Sequence, residues 1–374
     1  MSDTDRYPCV VVGLGVMGSA ALYHLTRRGV RTLGVEKFRM GHNRGSSHGR
    51  SRAFRTTYDQ ELYARMACEA LEMWRSLESD THEELLHLVG MLAFAGNQNH
   101  RFKQNLAILR SLGLAHQVFD GREAARRFGV FDFGSDVVAM FAEKNGYLCA
   151  DACIRAMQNA ACARGGEIVE GELIQGVEPL GNAVAVRIGD RRILADQVIL
   201  TVGPWVGHWL GDLKVPLKVT REQKVYFAVS DPNRFGVGQL PVFVDYDTGI
   251  YGFPIHGPGM KVAADHAGQT VDPDYVNRTV DVDYVGRLTG WINQWMPTAA
   301  PKPVESAVCL YTSTPDLDFI IDRHPIVDNV IMAGGFSGHG FKFAILVGDI
   351  LADLAINGCT KRPIKRFRMA RFVN

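Results

Sequence analysis

Pro8-Cys9-Val10-Val11-Val12-Gly13-Leu14-Gly15-Val16-Met17-Gly18 begins the stretch whose reading decides the fold, and it continues through a helix-compatible segment ending near Arg28 to Thr32-Leu33-Gly34-Val35-Glu36-Lys37. The pattern predicts a strand, a glycine-rich turn, a helix and a second strand. Each glycine has a mechanical reading: Gly13 permits the tight turn, Gly15 lets the backbone approach a pyrophosphate, and Gly18 lets the helix lie against its strand. The helix N-terminus then presents unpaired N–H groups and partial positive charge to phosphates. Glu36 closes the second strand about twenty residues past the glycines, where a carboxylate accepts hydrogen bonds from ribose hydroxyls. A 2′-phosphate is repelled there, which argues against NADP; this stretch alone is compatible with either FAD or NAD.

Working outward, 374 residues are long enough for two domains with a large core. Hydrophobic residues at 47% and charged residues at 22% are ordinary for a globular enzyme. With 41 basic against 40 acidic side chains, the formal net charge of +1 gives no reason to expect a nucleic-acid or membrane partner. The 7 cysteines are scattered, without the paired spacing of a metal site or the density of a disulfide scaffold, so reduced thiols in a cytoplasmic protein are expected. Cys149 and Cys153 read as helix-start packing. No stretch approaches the roughly 20 apolar residues of a membrane span, and Met1-Ser2-Asp3-Thr4-Asp5-Arg6 has no signal-peptide apolar core.

Gly41 to Arg55 is polar and glycine-rich, too long and charged for a plain connection. Arg52 and Arg55 are three apart and share a face if the loop enters a helix. Such a pair suits a carboxylate or an electron-rich ring; the competing reading is a solvated basic loop. Helices are expected over 61–78, 97–112, 123–128 and 151–164, and strands over 85–95 and 137–142. A hairpin is expected over 183–194 turning at Gly189-Asp190, then a buried strand over 197–205 with a helical continuation to Leu210. From Leu217 to Val304 the texture changes to short alternating runs, with strands expected at 224–229, 242–246, 250–254 and 259–263 and a helix within 277–296. This predicts a mostly antiparallel second domain inserted into the first. Near the end, a strand from Val330 leads into Gly334-Gly335-Phe336-Ser337-Gly338-His339-Gly340-Phe341-Lys342, a second glycine-rich turn before a helix running through Leu354.

Taken together, these motifs resemble the monomeric sarcosine oxidase and N-methyltryptophan oxidase family of flavin amine oxidases over nearly the whole chain. The resemblance rests on the N-terminal glycine motif with Glu36, on Ser47-His48-Gly49 followed by Arg52 and Arg55, and on Tyr251-Gly252-Phe253-Pro254 with Lys261. Ala307-Val308-Cys309-Leu310-Tyr311-Thr312 and the run from Gly335 to Lys342 complete it. It implies an α/β fold with a Rossmann-type FAD-binding domain of residues 1–89, 144–214 and 312–374 and an inserted, mostly antiparallel α+β substrate domain of residues 90–143 and 215–311.

The resemblance implies FAD as the cofactor, bonded through Cys309 to the flavin 8α-methyl group. It implies that Gly13, Gly15, Gly18, Glu36, His48, Arg52, Gly335, Gly338, Gly340 and Lys342 contribute to cofactor binding. Arg55 and Lys342 resemble the pair holding the substrate carboxylate, and Arg52 would stand beside the flavin ring. Lys261 resembles the lysine that reaches flavin N5 through water and helps O2 accept electrons. Tyr251 and Tyr311 match positions lining the substrate cavity. The sequence departs from the pattern at Asp265, where the sarcosine oxidases carry histidine. A carboxylate there favours a substrate with an extra cation or several hydroxyls. His266, one place along a strand, is expected on the opposite face. The implied reaction is oxidation of a secondary amine of an amino acid to an imine, hydrolysed to amine and aldehyde, with O2 reduced to H2O2 by a monomer. Oxidation or dehydrogenation of a cyclic imino acid (pipecolate or proline type) or of a fructosyl amino acid is the alternative, and a non-catalytic flavin-binding protein is the alternative of another class.

Overall fold

The computed structural model describes residues 6–372 except 212 and 214. The opening segment read above as lacking an apolar core therefore lies, but for Arg6, outside the described residues, as does the expected boundary residue Lys214. The apolar run forms the strand Arg6–Val12 and pairs in parallel on both sides, with Thr32–Glu36 and with Arg191–Leu200. A strand buried on both faces needs a nearly continuous apolar run, which Cys9-Val10-Val11-Val12 supplies. The sheet grows to 8 strands, with Glu167–Glu170 parallel at one edge and Val330–Gly334 parallel to Arg191–Leu200. The hairpin expected at Gly189-Asp190 is an antiparallel extension of this sheet.

The helix Val16–Arg27 lies across that sheet and packs against Ala344–Asn357 so closely that a Cβ on Gly348 would stand 2.4 Å from the Ala20 carbonyl carbon. Gly18 is under the same constraint from its own turn: a Cβ there would meet Gly13 O at 1.9 Å. Thr201 fastens the turn from the neighbouring strand by donating its hydroxyl to Gly13 O at 2.7 Å.

A second sheet of 9 strands takes its members from residues 91–142 and 218–313, stitched together where Val242–Asp245 pairs in parallel with Met91–Gly96. Its spine is Lys218–Ala228, antiparallel to Met260–Ala264 on one side and to Lys302–Ser313 on the other. The helix Val282–Trp295 covers one face with an aromatic core in which Trp291 stacks on Phe243, ring centroids 5.7 Å apart. A small sheet of 3 strands, including Ser51–Phe54 and Gly146–Cys149, completes the sheets.

Several expected boundaries move for local reasons. The strand expected over 85–95 is broken by Gly90, at φ +77°, into Leu86–His87 and Met91–Gly96. The helix expected from Asn97 starts at His100, because Asn99 caps it by accepting the Phe102 N–H at 2.8 Å. The strand expected over 197–205 ends at Leu200, since Gly203 takes φ +55° and opens a 3₁₀ turn over Gly203–Trp209. The second glycine-rich turn passes through a 3₁₀ turn, Phe341–Phe343, before Ala344–Asn357 begins. Arg52 and Arg55 are on no helix: Arg52 lies in the strand Ser51–Phe54 and Arg55 just beyond it.

Two helical glycines separate crowding from backbone entropy. Gly348→Ala is expected to lower unfolding stability by about 1–3 kcal/mol through overpacking. Gly286→Ala, in Val282–Trp295 with nothing within 4 Å of its Cβ, should raise it by about 0.5–1 kcal/mol. Urea unfolding of the two variants checks both signs.

Candidate active site

A cavity of about 830 Å³ runs along the C-terminal ends of the parallel strands, lined by Gly13, Gly15, Glu36, the loop from Gly41 to His48 apart from Asn43 and Arg44, and Gly334 to Gly340 apart from His339. This is the crevice where doubly wound sheets receive ligands. Gly13 takes φ +86°, while a Cβ on Gly15 would meet only the Ser47 side chain, at 3.1 Å, so the backbone there is open to a close-lying group. Ser47 Oγ in turn accepts the Val16 N–H at 3.1 Å, tying the polar loop to the start of the helix.

Glu36 is buried, and its two oxygens accept the Leu14 N–H at 2.8 Å and the Phe38 N–H at 3.1 Å. Burial pushes its carboxyl up, but bonds from His42, Phe38 and Leu14 outweigh this and hold it below the ordinary carboxylate range. Each oxygen keeps acceptor capacity for a hydroxyl. On the far wall Gly335 and Gly338 take φ +59° and +76°. A Cβ on Gly338 would collide with the Tyr311 ring at 2.3 Å, and one on Gly340 with Phe336 at 2.5 Å. Ser337 holds φ +47° although it is not glycine, with its amide donating to Thr312 O at 2.9 Å.

A smaller cavity of about 110 Å³ adjoins the first, and Arg52, Tyr311, Gly338 and Phe341 line both. Its wall is one face of the second sheet. Directly opposed residues of an antiparallel pair share a face, and positions two apart on a strand share it too. Lys261 opposes Phe253 and Tyr226, Tyr251 opposes Ala263, and Cys309 opposes Glu222. Register therefore places Tyr251, Lys261, Glu222, Lys224, Cys309 and Tyr311 on one face. Arg221 and Gln223 point the other way and bond Asp281, at 3.0 and 2.8 Å.

The cations here are held without carboxylates. Lys261, 3% exposed, donates to Ser51 O at 2.9 Å and Ser51 Oγ at 2.7 Å, and stands 3.6 Å from the centre of the Phe253 ring. Lys342, 4% exposed, donates to Tyr58 Oη at 2.9 Å and His339 O at 2.8 Å. The Arg55 guanidinium lies 3.9 Å over the same Tyr58 ring and donates to Thr57 O. Arg52 donates to Ser51 O, Ser46 O and His48 O at 2.7–2.9 Å. Among the described residues none of these four side chains has a carboxylate within ion-pair distance. Burial, then the charges of Arg52 and Lys224, drives Lys261 well below the usual lysine range, and burial with Arg55 does the same to Lys342.

Cys309 is half-buried, a free thiol lining the smaller cavity. The carbonyl of its neighbour Val308 is gripped by His48 Nε2 at 3.2 Å and Arg278 Nη1 at 3.3 Å. Asp265 lines the same cavity. Tyr251 and Tyr311 both line this cavity, and burial raises both hydroxyls, which keeps them neutral. His266 corrects the alternation argument: its strand stops at Ala264, the backbone turns to φ +51° at His266, and its ring reaches Tyr311 at 5.4 Å.

Glu222, Lys224, Arg101 and Tyr58 also line or brace the smaller cavity without having been singled out from sequence. Burial raises Glu222 above its ordinary range. The available signal was the run Thr220-Arg221-Glu222-Gln223-Lys224, five polar residues beside an apolar run that a solvated loop would not need.

Residues 9–354 match the FAD dependent oxidoreductase family. The chain is 33% identical to peroxisomal sarcosine oxidase of Homo sapiens over 99% of this chain and 97% of that protein. It is also 33% identical to monomeric sarcosine oxidase of Bacillus sp. (strain NS-129) over 98% of this chain and 97% of the relative. Among solved structures, the open form of NikD, an unusual amino acid oxidase essential for nikkomycin biosynthesis, superposes with a TM-score of 0.87 at 26% identity, covering 98% of each chain. The residues present fit FAD: Gly15 leaves its side of the cradle open, the helix start faces the cavity, and Glu36 is charged with spare acceptor capacity.

His48 generates a pH prediction. Burial, then Lys224, Arg52 and Arg278, depress its imidazole to about 3. The unfolded chain binds that proton below about 6.5 and the folded chain does not, so this contribution to stability is present above about 6.5 and is lost as pH falls toward 3. Chemical denaturation between pH 6 and 4 should show His48→Asn with a shallower loss than the parent, by up to about 1.4 kcal/mol per pH unit.

Proposed function

The chain belongs to the FAD dependent oxidoreductase family, and from that premise we propose that it is a sarcosine oxidase-like enzyme oxidising a small N-methyl or other N-alkyl amino acid. The amine becomes an imine that water hydrolyses to amine and aldehyde, and O2 is reduced to H2O2. The observation that carries this reading is the pair Arg55 and Lys342, converging on Tyr58 beside a cavity of about 110 Å³, with no carboxylate among the described residues paired to either. A substrate carboxylate supplies the missing charge, to Arg55 through a planar fork and to Lys342 as a point contact. The cavity has room for roughly four waters' worth of ligand, which favours an amino acid of sarcosine size. Asp265 on the same wall is the feature favouring a substrate with a second cation or several hydroxyls.

FAD, when bound, supplies the two-electron acceptor. Gly13, Gly15, Gly18, the helix start and Glu36 hold its dinucleotide portion, with Gly335, Gly338 and Gly340 on the opposite wall. Arg55 and Lys342 orient the substrate, while Tyr251 and Tyr311 wall the cavity with neutral hydroxyls. The surrounding cations disfavour an ammonium, so the bound amine gives up its proton readily. Burial and the cations around it disfavour the Lys261 ammonium, and negative charge arriving beside it favours that charged form, which suits it to stabilise forming superoxide. We propose that Cys309 would hold FAD through a thioether to the flavin 8α-methyl carbon, the S–H and one methyl C–H giving way to the S–C bond, with two protons released and the two electrons passing by way of the flavin to O2. Its free, half-exposed thiol and the bracing of its neighbour by His48 and Arg278 support this. The division into cofactor and substrate domains is proposed on the same footing, with Lys302–Ser313 carrying the chain from one to the other. A monomer working in the cytoplasm fits the composition. Among the described residues no helix is long and apolar enough to cross a membrane.

Anaerobic mixing of the purified protein with sarcosine, N-methyl aromatic amino acids, pipecolate, proline and fructosyl amino acids tests the reading. Bleaching of the visible flavin band should be fastest with sarcosine-sized N-methyl amino acids, speed up with pH as the bound amine deprotonates, and be followed by H2O2 when air is readmitted. Bleaching by dithionite but by no amine would overturn it.

Substitutions separate the roles. Arg55→Met or Lys342→Met should weaken substrate binding by about 2–5 kcal/mol, roughly thirtyfold or more. Lys261→Met should leave anaerobic bleaching largely intact and slow reoxidation by O2, as read by stopped flow.

A further inference from the structure

Lys224 is the cation on this sheet face for which the function above has no use. Alternation along Lys218–Ala228 turns it to the same side as Glu222, and its direct partners across the two neighbouring strands are Ala263 and Ala307. It is thus one diagonal step from Lys261 on one side and one from Cys309 on the other. The side chain is 6% exposed and lines the smaller cavity. Lys261 is held by Ser51 and Lys342 by Tyr58 and His339, but among the described residues Lys224 Nζ has no hydrogen-bond or ion-pair partner.

The surroundings do not neutralise it. The Gly49 backbone passes so near that a Cβ there would stand 2.6 Å from Lys224 Nζ and 3.6 Å from Arg52 Nη1. Asp151, the acid on that side, commits one oxygen to the Gly49 N–H at 2.8 Å, and Arg50 is already paired with Glu305. Glu222 shares its face but accepts from Thr220 Oγ1 and is pushed toward its neutral form by burial. A buried cation with no partner is costly, so the arrangement makes sense if negative charge appears nearby during the working cycle. That charge is not the substrate carboxylate. The groups that act on Lys224 are Arg52, Cys309, Asp151 and Arg50, whereas Arg55 acts on Lys342 and Asp265 acts on both of them.

We propose that Lys224 is a further charge-bearing residue of the flavin site, acting with Arg52 and Lys261 to stabilise the negative charge that reduction places on the flavin. The inference rests on FAD binding and not on the identity of the amine. Burial and Arg52 bring its ammonium down to about 8, so near neutral pH it is largely charged, and an anion forming beside it strengthens that charged form. Charge placed near the ring is one of the levers by which a protein sets flavin reactivity.

The test uses purified holoenzyme and needs no amine. FAD content, the two-electron midpoint potential against a reference dye, and sulfite affinity are measured for the parent, Lys224→Met, Lys224→Gln and Lys224→Arg. In Lys224→Met the reduction equilibrium should move about tenfold toward the oxidised form, ~30 mV for a two-electron couple. Sulfite affinity should fall by about tenfold, and Lys224→Arg should restore both. Parental potential and sulfite affinity in a flavin-loaded Lys224→Met protein would overturn the proposal. If Lys224→Met fails to take up flavin, a shift in Lys224→Gln that Lys224→Arg lacks supports it, and equal behaviour of those two overturns it. Failure of every amine in the bleaching panel would sink the substrate reading and leave this one standing, while a parent protein that binds no flavin would sink both.

Discussion

Positive charge buried without a protein counter-ion is the constraint on which the active half of this molecule turns. Lys261 and Lys342 are almost fully enclosed, yet their hydrogen-bond partners are main-chain carbonyls and hydroxyls, with ring faces nearby, and among the described residues neither forms an ion pair with a carboxylate. Such contacts offset only part of the desolvation of an ammonium. The rest is drawn from the stability of two large sheets and their cores, and it is recovered when an anion arrives. A site with this electrostatics is prepared for a carboxylate and for transient negative charge, the two things an amino acid oxidase must manage.

The two cavities share four lining residues, and the walls of each are positioned by a different kind of force. On the nucleotide side, close approaches of backbone to backbone dominate: Gly18 against the Gly13 carbonyl, and Gly348 against Ala20. On the substrate side, strand register dominates. Arg52, Tyr311, Gly338 and Phe341 belong to both cavities. Arg52 in particular fixes the loop above it through three carbonyls while its own strand pairs with Gly146–Cys149.

Legibility in the sequence followed the range over which each feature is encoded. The strand, turn and helix from Pro8 to Lys37 could be read because every constraint lies within thirty consecutive residues. The loop containing Ser47 and His48 was recognisable as functional from its polarity and length, but the pairing of Arg52 and Arg55 was misjudged, because a three-residue spacing looks helical until a partner strand is known. His266 was assigned to the wrong face because the alternation rule fails where a strand ends, and that end is set by a left-handed residue that sequence does not announce. Thr220 to Lys224 was not singled out, because five polar residues in a row do not announce burial, yet it is the buried middle of the sheet's spine, with one set of side chains bonding the Asp281 segment and the other facing the cavity.

By itself, then, the sequence determined the dinucleotide-binding unit, the second glycine-rich turn and the chemical types available for the site, since glycine spacing and local periodicity act through neighbours along the chain. Only the tertiary structure decided which of those types meet. Lys224, Lys261, Cys309, Tyr251 and Tyr311 come from four strands between Lys218 and Ser313, and Arg55 and Lys342 from opposite ends of the chain. Their convergence depends on pairing register, which is set by the burial of whole strand faces and is therefore a property of the assembled sheet, not of any local stretch.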